Sequence, residues 1–260
     1  MKETRGLQRS DFVRAFCSLR FAASILLGVG VCYFTLLFCG IYQSTTVHKF
    51  IFLHDKSQSF LAYLVGVLPF GLCLYEDFQY GNIRNVIGRI PLAAYLRSKM
   101  TAAVFSAIVT FVLGKLIFVV IYSSHNEVCR PETLTQIPRD ILYFSFLSKG
   151  QYGVYFLMTS LHKALYCGIL CQLVVLVSLV VQNRAAVLSI PMAVFYVLNF
   201  YINSRLSIPV LNFTRIFDGI TRIWNKDIDG SLYALGMALI SYYALYRLTL
   251  WLLKKKVYDD

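Results

Sequence analysis

Charge is scarce in this chain. Asp, Glu, Lys and Arg together make up 15% of the 260 residues, where a soluble domain carries about 25%. Acids are the rarer sign, with 13 Asp and Glu against 25 Lys and Arg. The usual sequence devices of chemistry are missing too. No GxxxxGK[ST] is present to cradle nucleotide phosphates; Gly114-Lys115 lacks the first glycine. There is no HExxH and no GxSxG. His48, His54, His125 and His162 show no ligand spacing, and the seven cysteines include no CxxC pair. Cys129 alone falls in a predicted outer loop, so the thiols read as small buried hydrophobes, not as a disulfide framework or metal cluster. These absences leave no expected catalytic residue, bound cofactor or metal.

What the chain has is apolar sequence in long blocks. Hydrophobic residues make up 58%, and the mean hydropathy is +0.62. Six blocks stand out, at about 21–42, 57–75, 99–122, 162–181, 185–202 and 231–253. About 20 apolar residues in a helix cross a hydrocarbon core of roughly 30 Å. The blocks are continuous and do not alternate as barrel strands do, and a helix satisfies its own backbone in lipid. The expected fold is therefore an all-α membrane protein of six transmembrane helices, forming one domain over 1–260.

The net charge of +12 collects at the block ends. Lys2, Arg5, Arg9, Arg14 and Arg20 precede the first block. Arg84, Arg89, Arg97 and Lys99 lie between the second and third, Arg184 between the fourth and fifth, and Lys254, Lys255 and Lys256 after the sixth. The richer side is expected to be cytoplasmic, with both termini inside, although Arg205, Arg215, Arg222 and Lys226 weigh on the other side. Membrane topology accounts for this charge better than nucleic acid does. The stretch Phe21–Tyr42 is too long for a signal-peptide core and reads as a retained span. Ahead of it, Phe12, Val13, Phe16 and Leu19 against Arg9, Arg14 and Arg20 predict an amphipathic interfacial helix. The aromatics Tyr143, Phe144, Phe146, Tyr152, Tyr155 and Phe156 are expected at the outer headgroup level. Pro69 and Pro191 are candidate kinks.

The most informative segment follows the second block. Ile83, Val86, Ile87 and Ile90 recur at i, i+3, i+4 and i+7, which predicts a short amphipathic helix on the inner surface. An ordinary basic loop that only fixes topology is the plainer alternative. Farther along, Lys115 lies 16 residues past Lys99, roughly 24 Å along a helix. It is expected to snorkel toward the outer headgroups, and it is also the first choice for a residue on a substrate path.

Several of these residues carry a resemblance. Glu76 and Asp77 close the second block, Gly81 follows, then Asn82-Ile83-Arg84-Asn85-Val86-Ile87, Arg89 and Pro91, with Tyr95-Leu96-Arg97-Ser98-Lys99 opening the third. This resembles the signature of ABC-2 type permeases, most of all the small permease subunits of Gram-positive bacteria. A weaker likeness covers Val180-Val181-Gln182-Asn183-Arg184-Ala185-Ala186-Val187 ahead of Pro191. Leu92-Ala93-Ala94 depart from the family, which often has a serine-arginine pair there. The resemblance implies the membrane subunit of an ABC exporter in the bacterial plasma membrane, working with a second permease copy or paralogue. It also implies a separate ABC ATPase subunit that binds the ATP and docks on the coupling helix at Glu76, Asp77, Gly81, Ile83, Arg84, Val86, Ile87, Arg89, Ile90 and Lys99. Membrane lipid is the remaining expected partner, and the cargo is amphipathic, peptide-like or lipid-like. A non-transporting membrane assembly or immunity protein is the alternative. A channel would need a polar stripe along a span, and the sequence shows only scattered Ser, Thr, Gln and Asn.

Overall fold

The computed structural model describes residues 2–38, 45–55, 59–198, 212–220, 222–224 and 226–258. These residues form thirteen helices: α1 (Lys2–Phe16), α2 (Leu19–Phe38), α3 (Thr46–Asp55), α4 (Ser59–Val67), α5 (Cys73–Gln79), α6 (Asn82–Ile87), α7 (Leu92–His125), α8 (Pro131–Gln136), α9 (Phe144–Ser148), α10 (Tyr152–Val177), α11 (Arg184–Val197), α12 (Phe213–Phe217) and α13 (Asp227–Tyr258).

Four of them, α2, α7, α10 and α13, are long and apolar enough to cross a membrane. They overlap the first, third, fourth and sixth expected spans, although α10 begins ten residues ahead of the expected 162 and ends at Val177, and they make the chain a multi-pass membrane protein. The other two expected spans take a different form. The block at 57–75 is no continuous helix, because α4 stops at Val67 and the chain turns through 68–72 before α5 begins. Pro69 has no N–H to continue the ladder. Two residues on, a Cβ on Gly71 would stand 2.7 Å from the Val67 carbonyl oxygen, so the turn closes tightly around a glycine. The fifth block appears as α11, 14 residues long, and positions 199–202 of that expected span lie outside the described residues. Asn183 caps α11, its side-chain oxygen accepting from the N–H groups of Ala185 and Ala186 at 2.9 and 3.3 Å. Pro191 sits within this helix without ending it.

The packing centres on α7 and α10. Helices α1, α2 and α4 lie against α7, while α11 and α13 lie against α10. Close approach depends on small residues, as is common between membrane helices. A Cβ on Gly114 of α7 would be 3.4 Å from the Gly28 Cα of α2, and one on Gly66 of α4 would be 2.5 Å from the Cys167 Sγ of α10. Aromatic rings fill the remaining space: Tyr63 stacks on Phe111 at 5.4 Å and meets Tyr166 edge-on at 5.5 Å, and Tyr166 stacks on Phe217 at 5.5 Å.

Two peripheral expectations change. Helix α1 docks against α7, and its most deeply buried residues are Asp11 and Ala15, while its Val13 and Leu19 at the start of α2 are 51% and 87% exposed. Phe12 and Phe16 pack on the core and Arg9 and Arg14 are exposed, as the pattern predicts, but the buried face also takes the acid Asp11 and leaves Val13 outside. Among the aromatics assigned to the outer headgroups, Tyr143, Tyr155 and Phe156 are buried in a second core with Phe50, Phe118 and Leu147. The segment 126–151 folds over the ends of α3, α7 and α10, and it joins Ile220 and Arg222 through Leu142 N–H to Ile220 O at 2.7 Å and Arg222 N–H to Asp140 O at 3.2 Å.

Helix α1 and the last turns of α13 lie at one end of the bundle. Helix α1 meets the start of α7, Lys256 near the end of α13 donates to Leu179 O and stands 4.7 Å from the Phe78 ring centre, and the Tyr75 hydroxyl donates to Gln182 O at 3.0 Å. Replacing Gly28 with leucine is expected to push α2 from α7 and cost about 1–3 kcal/mol. Thermal unfolding in detergent checks this, with Gly30→Leu, where the space is open, as the tolerated control.

Candidate functional site: a buried ion cluster beneath a short elbow

Tyr95, Ser98 and Lys99 fall at i, i+3 and i+4 on the first turns of α7, so their side chains share one face. That face meets Asp11 of α1 and Asp77 of α5. The Lys99 ammonium lies 2.8 Å from a carboxylate oxygen of each, with all three side chains 4% exposed or less. The Ser98 hydroxyl donates to Asp11 Oδ2 at 2.6 Å and the Tyr95 hydroxyl to Asp77 Oδ2 at 2.7 Å. Arg14, one turn past Asp11, approaches Asp77 at 3.8 Å. Next to this cluster Arg20, at the start of α2, pairs with Glu76. One lysine therefore joins three helices that are far apart in sequence.

Burial alone would raise the Asp77 carboxyl. The Lys99 charge, hydrogen bonds from Lys99 and Tyr95, and the Arg14 charge outweigh it and hold Asp77 below the ordinary carboxylate value of 3.8.

Above this cluster the chain makes an elbow. Helix α5 ends at Gln79, Gly81 takes the left-handed conformation at φ 69°, α6 runs six residues, and Pro91 starts α7. Ile83 is buried in the main core, with Val86 packed against it and Ile90 half-buried. The apolar face of α6 is thus turned onto the protein itself, where the sequence had offered it to lipid or to a partner's groove. The elbow exposes Tyr80, Gly81, Asn82, Gly88 and Arg89. The side chains of Arg84 and Ile87 lie outside the described residues. Of the positions expected to dock a partner, Glu76, Asp77, Ile83 and Lys99 make their contacts within the chain, whereas Gly81 and Arg89 face outward. Tyr80, 73% exposed, escapes sequence reading because it lies outside the apolar pattern.

A second polar cluster occupies the far half of α7. Lys115 is only 6% exposed, so it does not snorkel. Its ammonium sits 3.2–3.3 Å from both ring nitrogens of His54 and 4.8 Å from the centre of the Phe111 ring. Burial, then the charges of Lys115 and Lys163, push His54 well below its ordinary 6.5, so this ring is neutral at pH 7. Lys163 donates to His54 O and lies 3.5 Å from an Asp218 oxygen. His162 reaches Ile216 O at 2.7 Å and the Tyr143 hydroxyl at 3.1 Å, and that hydroxyl is 2.7 Å from Ser231 Oγ. Asp227 closes the network, accepting from Arg222 at 2.6 Å, Ser145 at 2.9 Å and Tyr143 N–H at 3.1 Å. Helices α3, α7, α10 and α13 are pinned together there with Tyr143, Ser145, Ile216, Asp218 and Arg222. No group of three or more potential metal ligands occurs among the described residues.

No protein family, curated protein or solved structure matches the chain.

Changing Lys99 to methionine keeps its volume but strands two buried carboxylates, with an expected loss of roughly 3–5 kcal/mol, while converting Lys99, Asp11 and Asp77 together to apolar residues recovers most of it. Unfolding of the single and triple variants in one detergent measures both. The pH dependence has a definite sign. A depressed native carboxyl contributes stability above its unfolded value of 3.8 and loses it as pH falls through the lower native value. Melting temperatures from pH 6 down to pH 3 should therefore show Asp77→Asn less stable than the wild type at the upper end, with the gap closing below pH 3.8.

Proposed function

We propose that the chain is the membrane-spanning permease subunit of an ATP-driven exporter of ABC-2 type, working with a separate ATPase subunit and a second permease copy or paralogue in a bacterial plasma membrane. The observation that carries this reading is the elbow α5–Gly81–α6–Pro91, presented at the end of the bundle where α1 and the last turns of α13 gather, with Lys99 bonded beneath it to α1 and α5. A lever needs an exposed contact and a stiff root. Tyr80 and Arg89 supply the contact. The root is formed by Ile83 in the core and by the Asp11–Lys99–Asp77 cluster.

In this reading the ATPase binds and hydrolyses ATP, and the permease performs no covalent chemistry. Closure of the ATPase pair presses on the elbow. Because α5 and α7 share Lys99 with α1, the displacement moves the three helices as one body and does not bend a loop. Interfaces packed this tightly repack in discrete steps. The cargo is an amphipathic molecule, peptide-like or lipid-like, consistent with a chain whose long helices carry few charges.

Tagged chain solubilised from its native membrane is expected to carry with it an ATPase that contains a phosphate-binding loop. Tyr80→Ala combined with Arg89→Glu should reduce that recovery at least about tenfold, the effect of roughly 1.4 kcal/mol lost at a contact, while the melting temperature stays that of the wild type. Function that survives deletion of every such ATPase would instead establish the non-transporting assembly or immunity role.

A further inference from the structure

Between the α1–α2 junction and the turn after α4 the surface opens into a groove of about 650 Å³. Val13, Leu19, Pro69 and Phe70 give it apolar walls, and Arg14 and Arg20 stand among its lining residues. The charges here are arranged in depth. The Arg14 and Arg20 side chains are 46% and 54% exposed, whereas their carboxylate partners Asp77 and Glu76 are 4% and 18% exposed. The guanidinium groups are thus the more exposed members of their pairs: Asp77 lies behind Arg14, while Glu76 lines the groove itself and is held by Arg20. Arg14 is the less committed of the two: it stands 3.8 Å from Asp77 Oδ1, beyond hydrogen-bond distance, while Lys99 and Tyr95 both bond Asp77 Oδ2 at 2.8 and 2.7 Å.

The groove also leads onto a lipid-compatible track. Leu19, Ala23 and Leu26 follow one another at i, i+4 and i+7 along α2, and all three are exposed. Leu19 and Leu26 are 87% and 70% exposed, on a helix long and apolar enough to cross a membrane. Outward guanidinium groups at the end of a membrane helix, opening onto an apolar strip along that helix, match a molecule with an anionic head and hydrocarbon tails.

We propose that this groove is a binding site for one anionic phospholipid, its headgroup phosphate held by Arg14 and Arg20 and an acyl chain lying along Leu19, Ala23 and Leu26. Guanidinium forks match phosphate geometry better than ammonium groups do. The occupant is a bilayer lipid and not free phosphate, because the walls and the track are apolar. The site follows from the groove itself and does not depend on the exporter reading. It would bind lipid equally in a chain that transports nothing. Its position is notable all the same, since a lipid held there touches the outer side of the same Arg14–Asp77 and Arg20–Glu76 pairs that flank the Lys99 cluster.

The rim carries its own reporter, the exposed free thiol of Cys17. The test uses the full chain in bilayer discs of phosphatidylglycerol or phosphatidylcholine, with alkylation of Cys17 by a soluble maleimide followed by peptide mapping. Native mass spectrometry in detergent counts the retained lipids. Phosphatidylglycerol is expected to slow alkylation of Cys17 and to remain as one tightly held copy. Arg14→Gln and Arg20→Gln should each weaken that retention about fivefold, the effect of one cation near an anionic surface. Arg14→Lys should lose less, and Val13→Asn should weaken retention without altering charge. Melting temperatures identify any variant that fails to fold, and Val13→Asn, which touches neither ion pair, keeps the comparison decisive. Equal protection by phosphatidylcholine, unchanged retention in the arginine variants, or protection by inorganic phosphate alone would each overturn the proposal, the last by making it a free-anion site.

Discussion

A single ammonium group sets the geometry of one end of this protein. Lys99 lies in a region from which water is excluded, and a lone charge there would be prohibitively costly. It is tolerated because Asp11 and Asp77 each place an oxygen 2.8 Å away while Ser98 and Tyr95 satisfy oxygens of the same carboxylates. Such a cluster adds little net stability compared with a well-packed apolar core, and its main effect is on register. Asp11 can reach Lys99 only if α1 docks on α7, and Asp77 can reach it only if α5 turns back after the break at Pro69 and Gly71. The positions of α1, α5 and α7 then follow from one set of bonds.

The break in the second apolar block belongs to the same arrangement. A continuous helix over 57–75 would run straight on from α4. The turn at 68–72 re-aims the chain, so that α5 brings Asp77 inward and leaves Tyr80 and Gly81 at the surface. Residues from α1, α5 and α7 thereby meet in a compact charged root, with α6 lying over it and burying Ile83. At the opposite end of α7, a second polar network around Lys115, Lys163, His54 and Asp227 fixes α3, α10 and α13. Lys99 and Lys115 are 16 residues apart, roughly 24 Å along the helix, which leaves an apolar stretch of near-membrane thickness between two polar anchors.

Much of this was legible in the sequence, for physical reasons. Long apolar runs force helices in lipid, so α2, α7, α10 and α13 follow from hydropathy alone. The short helix at 82–87 follows from the spacing of Ile83, Val86 and Ile87 and from Gly81 before it, and the kink at Pro69 from a missing N–H. What stayed hidden depends on partners distant in sequence. Periodicity says that Ile83 and Val86 share a face but not that the face turns onto the chain's own core. Basic residues near Lys99 read as topology signals, because nothing local marks Asp11 as the acid that will reach it. The Tyr95–Ser98–Lys99 spacing was the one available hint, a polar face at the start of an apolar helix. The depth of Lys115 along its helix predicts snorkelling, but Phe50 and His54 of α3 pack on it and it is buried, and no window of sequence reports on such a cover.

The central claim is that Lys99 makes α1, α5 and the elbow one mechanical unit, and hydrogen–deuterium exchange of the Lys99→Met chain in detergent tests it most directly. If Lys99 is the shared root, exchange will rise together in peptides covering 2–16 and 73–87 while peptides covering 131–148 keep their wild-type rates. An increase limited to the first turns of α7, with α1 and α5 as protected as before, would contradict it.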